Sequence, residues 1–456
     1  METDPMQTDF SFGTAKGAFP VVGHMRQLLR QPLEFLEALS GVGDLVEIRL
    51  GTRRAYVACH PQLVRHMLTD SRLYDKEDTR LEAAQEKYGD SLATASRDRH
   101  RKLRRILQPA FDHTSLEKYS ALLEQEIEAL AGHWRRGQVL DVFPEFRDFA
   151  TRAVSRTLFP DHIGEETLKE IQCLFRSMGG AGRQGAVSRL TGLLRGMGGS
   201  RQQRQILQEL GAVLDRVTAE CRLGGTQGTY LLSTLFADGG RGDDDRGPTD
   251  TEIRAQALSL LAAGSHTVAA TLTWTFHLLS QHPGIEGRLH EEVDSVLGGR
   301  PARWEHLSGL AFTARVLTEA LRLYPPVWLL MRYTTGDMRL AGRHLPRGST
   351  LLLSPLAVQR RADIFAGPRD FDPDRWLPHR AAAYPRGAFV AFGAGAHKCI
   401  GDSFGMIEAT LTLATITQRW QLRHAPGVNL RPELFALAVH PRNLPMRVHA
   451  RRHNRR

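Results

Sequence analysis

A chain of 456 residues can bury a large core, as one unusually large domain or as two or three smaller ones. Four widely spaced cysteines, Cys59, Cys173, Cys221 and Cys399, form no C-x-x-C or other paired spacing. That argues against a disulfide framework or a zinc site and fits a reducing, cytoplasmic setting. The net charge is +10, but only seven of the 60 basic residues are lysine, the mark of a GC-rich coding sequence, and the short run Arg451-Arg452-His453-Asn454-Arg455-Arg456 is weak ground for a nucleic-acid partner.

In chain order, residues 1–18 read as a flexible N-terminal segment. Met1–Lys16 is polar, carries Asp4 and Asp9, and lacks the basic start and apolar run of a signal peptide. No stretch has the roughly 20 apolar residues that would cross a bilayer. Alternation in Asp44–Leu50 and Arg54–Ala58 predicts a short hairpin turning at Gly51. His100 and Arg104 stand four apart on one helix, within a basic strip of Arg97, Arg99, Arg101, Lys102 and Arg105, of which Arg101, Lys102 and Arg105 read as a solvated face. Helical periodicity runs through Leu116–Trp134, Glu165–Met178 and Gln202–Cys221. Lys76–Ala93, Met178–Ser200 (with a short apolar helix at Leu190–Leu194) and Ala237–Gly247 read as mobile loops.

Pro248 and the capping box Thr249-Asp250-Thr251-Glu252 open a helix that should end near Gln281, ahead of His282-Pro283-Gly284. At 1.5 Å per residue it spans roughly 45 Å. After Pro325 the pattern turns to short strands, around Arg339–Leu345 and Thr350–Leu353, with a final strand pair at Leu434–Val439 and Pro445–His449. Residues 450–456 read as a basic disordered tail. The fold expected is mainly α with small β patches at both ends.

Three stretches carry residues that suggest chemistry. Cys399 lies in the glycine-rich Phe392-Gly393-Ala394-Gly395-Ala396-His397-Lys398-Cys399-Ile400-Gly401, just ahead of an apolar helix pattern at Phe404–Ile416. A thiolate near a helix N-terminus is stabilised by the dipole and by free N–H groups, and suits a haem-iron ligand. A buried structural cysteine beside a tight turn is the alternative. Gly395 and Gly401 fit sharp turns or close approach to a flat group. In the long helix, Ala263 and Gly264 have almost no side chain, and Thr267 can bond back to the carbonyl four residues earlier, widening a turn; ordinary helix packing reads equally well. Glu319 and Arg322, three apart on an apolar helix, suggest a buried pair whose further partner is Arg375.

Together these stretches resemble the cytochrome P450 family. Phe392–Gly401 is similar to its haem-binding loop, and Ala263, Gly264 and Thr267 match its distal-helix pattern Ala/Gly-Gly-x-Asp/Glu-Thr. Glu319-Ala320-Leu321-Arg322 matches its E-x-x-R helix, and Arg375 its later arginine segment. The likeness runs from Phe19-Pro20-Val21-Val22-Gly23-His24 to residue 449. It implies the cytochrome P450 fold as a single large haem-thiolate domain over residues 19–449, haem b with Cys399 as axial thiolate, and O2 as co-substrate. It implies that Phe392 and Gly401 belong to the cofactor loop, and that His100, Arg104, Arg332 and His397 contact haem carboxylates. Glu319, Arg322 and Arg375 become a structural lock on the cysteine loop; Ala263, Gly264, His266 and Thr267 flank the oxygen. His266 replaces the family's acid, and either relays protons itself or points away as structure.

The activity implied is a monooxygenase placing one atom of O2 in a lipophilic small molecule, served by an external ferredoxin and ferredoxin reductase. A peroxide-driven or radical-coupling oxidase on the same fold is an alternative, as is a non-catalytic haem protein. The expected substrate wall, Leu81, Leu92, Leu260, Trp328, Leu329, Leu330, Met331, Leu434 and Phe435, is apolar and suits a terpenoid or another secondary metabolite.

Overall fold

Thr249 caps the longest element: its hydroxyl accepts from the Glu252 N–H at 3.3 Å, while the Glu252 carboxylate accepts from the Thr249 N–H at 2.8 Å. The helix Asp250–Gln281 that follows ends at His282, where Pro283 begins the next. These features come from a computed structural model, which describes residues 10–76, 85, 88–159, 163–181, 201–223, 231–232, 248–433 and 438–451. The expected loop segments 77–84, 182–200 and 237–247, the helix at Leu190–Leu194 and the tail from residue 452 lie outside the described residues. Among the described residues no helix is long and apolar enough to cross a membrane.

The chain forms two compact units. The first comprises the described residues of Met1–Ala83 and Leu321–Cys399. Its sheet has six strands in the order Phe12–Thr14, Leu45–Leu50, Arg53–Ala58, Thr350–Leu353, Leu330–Thr334 and Tyr74–Asp75. The predicted hairpin is its centre: Leu45 pairs with Ala58 through to Leu50 with Arg53, and Gly51 turns with a φ of 65°. Successive side chains leave on opposite faces. Leu45, Tyr56, Ala58, Leu351 and Leu353 enter one core, and Val46, Ile48, Ala55, Val57 and Leu352 enter another. Both faces are covered, which is why Leu45-Val46, Ala55-Tyr56-Val57-Ala58 and Leu351-Leu352-Leu353 are apolar at consecutive positions.

The second unit comprises the described residues of Ala84–Gln184, Gly198–Ala320 and Ile400–Arg456. Here Asp250–Gln281 packs chiefly against Val142–Leu158, and also against Arg201–Leu223 and Asp402–Arg419. From Val268 to Leu279 every residue of the long helix is buried. Trp274 anchors it, donating from Nε1 to the Val439 carbonyl at 2.9 Å.

The final strand takes other partners than expected. Pro445–Ala450 pairs with Trp420–His424 on one side and Val139–Asp141 on the other, and Ala438 and Val439 form no strand; residues 434–437 lie outside the described residues. Pro432–Glu433 pairs instead with His440–Pro441. The apolar character of Ala438 and Val439 reflects full burial, with Val439 receiving the Trp274 indole rather than a strand.

Candidate active site

The cysteine loop belongs to the first unit, and its shape follows from two glycines. Gly393 and Gly395 take φ values of 70° and 68°, in the left-handed region. A Cβ on Gly395 would lie 2.3 Å from the Leu68 carbonyl oxygen, so the loop rests backbone to backbone on the end of helix Pro61–Thr69. A 3-10 turn at Gly395–His397 follows, and the Cys399 N–H donates to the Phe392 carbonyl at 2.8 Å. Cys399 is thereby exposed, with Phe392 and His397 half-buried. Helix Asp402–Arg419 begins three residues on. Gly401 caps it with a φ of −97°, outside the left-handed region, and a Cβ there would meet Phe111 at an ordinary 3.6 Å, so no sharp turn demands glycine at 401. Burial pushes the Cys59 thiol up to about 12 and Cys221 up to about 11, which removes both as thiolates near neutral pH.

Behind the loop stand buried cations. Arg322 donates to the carbonyls of Gln359 at 2.8 Å, Pro368 at 2.7 Å and Asp370 at 3.0 Å, and Arg375 donates to Gly367 at 2.7 Å. Two arginines thus hold one short segment, Gly367–Asp370. Gln359, which sequence reasoning missed, accepts from the Val390 N–H at 3.0 Å while donating to the carbonyls of Leu321 and Arg322. It ties the arginine helix to the start of the cysteine loop. Glu319 is fully buried in the second unit.

Arg332 is also buried, and burial lowers its pKa against the opposing pull of Asp75. Lys76, half-buried, is pushed down to about 8 by burial and then by Arg332. Two neighbouring cations drawn out of water suit an anionic group such as a haem carboxylate. With the exposed thiol of Cys399, this donor set fits a haem. Lys76 was not singled out from sequence; it sits in a charged run that gives no sign of burial.

In the second unit the long helix divides its motif among its faces. Ala263 is exposed and Leu260 and Thr267 are half-buried, a stripe at i, i+3 and i+7; Ser259, Ala262 and Gly264 beside it are half-buried as well, and the helix is fully enclosed only from Val268 to Leu279. Thr267 Oγ1 donates to the Ala263 carbonyl at 2.6 Å, the back-bond expected there, within a continuous helix. Gly264 faces elsewhere: a Cβ on it would sit 2.6 Å from a Val154 methyl, so its smallness lets helix Val142–Leu158 approach. His266 is also turned from the Thr267 stripe. It is 6% exposed, with its ring 6.0 Å from that of Phe175. Burial, then the Arg147 guanidinium and His440, push its pKa down to about 4, leaving the imidazole neutral at physiological pH.

Close by, Gln256 accepts from the Leu92 N–H at 2.9 Å and donates to the Asp90 carbonyl at 3.0 Å. A Cβ on Gly89 would meet that of Ala255 at 2.6 Å. The segment carrying Leu92 is thus clamped one turn before Leu260. His100 is buried on helix Arg97–Leu107, and Arg104, one turn on, is half-buried with its Nε donating to Gln108 at 3.1 Å. Of the basic strip, Arg101, Lys102 and Arg105 are exposed as expected, whereas Arg99 pairs with Asp90 and Glu252.

Of the expected substrate wall, Trp328, Leu329 and Met331 pack on one core of the first unit and Leu330 on the other, because strand alternation sends neighbours to opposite faces. Leu81, Leu434 and Phe435 lie outside the described residues.

The family model for Cytochrome P450 matches residues 15–447. The chain is 45% identical to the pentalenene oxygenase of Streptomyces avermitilis, covering 98% of this chain and 99% of that one. It is 43% identical to the cyclooctatin synthase of Streptomyces melanosporofaciens, covering 92% and 91%. It is 39% identical to the cyclooctat-9-en-7-ol 5-monooxygenase of the same organism, covering 93% of each. Among solved structures, the haem domain of cytochrome P450DA has the same fold, with a TM-score of 0.82 at 23% identity over 98% of this chain and 99% of that chain.

Proposed function

The chain belongs to the cytochrome P450 family and is a monooxygenase, and on that premise we propose that it oxidises a terpenoid. The haem-thiolate iron supplies the activation of O2 when bound. The chain's own part is to present Cys399 on a loop fixed at Gly393, Gly395 and the Phe392 carbonyl, and to hold anionic haem edges with Arg332 and Lys76. The resident cofactor in this reading is haem b, with His100, Arg104 and His397 as further carboxylate contacts.

The observation that carries the reading is the accessible stripe Leu260–Ala263–Thr267 just ahead of the fully enclosed stretch Val268–Leu279. Small and apolar groups flank the single hydroxyl, so a hydrocarbon can lie against the helix while Thr267 handles a proton. Three relatives at 39% to 45% identity bear the names of cyclic terpenoid oxidations. Electrons come from a ferredoxin and its reductase, with the ferredoxin steered by Arg101, Lys102 and Arg105. A cytoplasmic location, where a free thiolate stays reduced, completes the proposal.

The test is a spectral titration of the holoenzyme with cyclic terpene hydrocarbons and alcohols beside fatty acids and aromatic polyketides. Products from labelled O2 are then analysed by mass spectrometry. A terpene should shift the haem absorbance and gain one labelled oxygen. Shifts and turnover with fatty acids alone would overturn the substrate class.

A further inference from the structure

Among the described residues few large apolar side chains stand in water, and three of the strongest cases are almost consecutive. Phe19, Val21 and Val22 are 44%, 79% and 48% exposed, at the end of Gly17-Ala18-Phe19-Pro20-Val21-Val22, all six of which are exposed. Scattered apolar residues need no explanation, but a contiguous run does. The run is not slack. Phe19 and Gly23 exchange both backbone hydrogen bonds at 2.9 Å, Val22 N–H donates to Pro20 at 2.7 Å, and the Val22 carbonyl accepts from Gly51 at 3.3 Å. Gly23 is pressed against the Arg49 carbonyl, 2.4 Å from where its Cβ would be. Val21 sits at a φ of 65°, a region a β-branched residue rarely occupies. A tied loop with local strain therefore holds an apolar side chain outward, and such strain persists only where surrounding structure imposes it.

The rim is basic. Lys16, Arg26, Arg49 and Arg53 are exposed, and the stretch 16–33 contains no Asp or Glu. The Arg26 guanidinium lies 5.3 Å from the centre of the Phe19 ring. None of the four cations forms an ion pair with a described residue. The nearby acid Glu47 is buried and engaged by Arg54 at 3.5 Å and Arg343 at 3.7 Å.

We infer that this tip is a peripheral membrane contact: Phe19, Val21 and Val22 enter the headgroup boundary of a bilayer while Lys16, Arg26, Arg49 and Arg53 meet anionic phospholipid headgroups. The combination of a short apolar wedge and an unpaired cationic rim suits that partner. A protein partner fits less well, because a stable interface uses roughly 20–30 residues a side and this run has six. The proposal stands apart from the identity of the substrate, although a lipophilic substrate dissolved in the same bilayer would be brought close to the enzyme.

The test uses the holoenzyme and two kinds of vesicle, phosphatidylcholine alone and an equal mixture with phosphatidylglycerol. The parent should co-sediment with the anionic vesicles and lose binding as salt rises. Changing Phe19→Ser, Val21→Gly and Val22→Ser together should lower the bound fraction at least tenfold while the ferrous carbonyl spectrum and unfolding temperature hold. Arg26→Glu with Arg53→Glu should weaken binding to anionic vesicles. Val22→Trp should show a blue-shifted emission when they are added. Absence of binding by the parent, equal binding by the triple variant, or no emission shift overturns the proposal. So does a tip-dependent dimer in sedimentation velocity without vesicle binding, which would assign the tip to a second copy of the chain.

Discussion

The loop Phe392–Gly401 and the helical turn Ala262–Thr267 carry motifs of similar density, and the chain uses them in opposite ways. In the loop, successive residues serve one end. Two glycines take left-handed conformations, one lies against a neighbouring backbone, and the product is a single exposed thiol. In the helix, each residue is rotated about 100° from the last, so neighbouring letters face different partners. Ala263 and Thr267 face outward, Gly264 faces Val154, and His266 faces Phe175 and Arg147. A match in a loop can therefore be read letter by letter, whereas a match in a helix must first be sorted by face.

The largest effect should come from the loop. Cys399→Ser should abolish turnover and remove the thiolate-type absorbance of the ferrous carbonyl form. Serine at Cys59, Cys173 or Cys221 should leave haem content unchanged, with Cys59→Ser costing about 1–2 kcal/mol for a buried hydroxyl. Retention of the band in Cys399→Ser would break the comparison at its stronger side.

On the helix, face should decide the outcome. Thr267→Ala should raise the fraction of electrons lost to peroxide several-fold, because the accessible hydroxyl is removed. Ser265→Ala deletes a hydroxyl that makes the same kind of bond, to the Leu261 carbonyl at 2.7 Å, but on a fully buried face. Its coupling should match the parent, and equal uncoupling by both would show that helix integrity rather than face matters.

A smaller effect is expected at Gly264. Gly264→Ala puts a methyl 2.6 Å from Val154, and overpacking of this kind costs about 1–3 kcal/mol. Adding Val154→Ala should recover most of that loss in chemical denaturation. A Gly264→Ala variant of parental stability but weakened haem binding would instead place this glycine over the cofactor.

What could be read in advance was local. The hairpin at Gly51, the capping box at Thr249 and the turn at Gly395 before Cys399 are set by residues a few positions apart, and all took the shapes expected. What could not be read depends on partners far along the chain. Gln359 and Gln256 are ordinary glutamines until folding sets them against Val390 and Leu92. Arg99 looks like its solvated neighbours until Glu252 arrives from 153 residues away. The apolar pattern sets Pro445–His449 beside Leu434–Val439, whereas its partner Trp420–His424 continues directly from the end of helix Asp402–Arg419.

His266 should give the smallest effect on coupling, and it is the sharpest test of the face argument. Its Nδ1 has no hydrogen-bond partner among the described residues, and its neighbours are Phe175, Arg147 and His440 rather than Thr267. A relay must reach the Thr267 hydroxyl, but this imidazole, neutral from pH 6 to 8 with its pKa pushed down to about 4, lies against Phe175 and Arg147 instead. His266→Phe should therefore couple as well as the parent across that range. Its signature lies in stability at lower pH. Because the folded value is depressed, the unfolded chain takes up a proton first as pH falls below about 6.5. His266 then costs nothing above that pH and destabilises progressively toward pH 4, by on the order of 3 kcal/mol at the limit. The phenylalanine variant should lose less stability between pH 6.5 and 4 than the parent. If coupling instead falls with His266→Phe and returns with His266→Glu, the imidazole reaches the oxygen side after all, and the division of the motif by face fails at this residue.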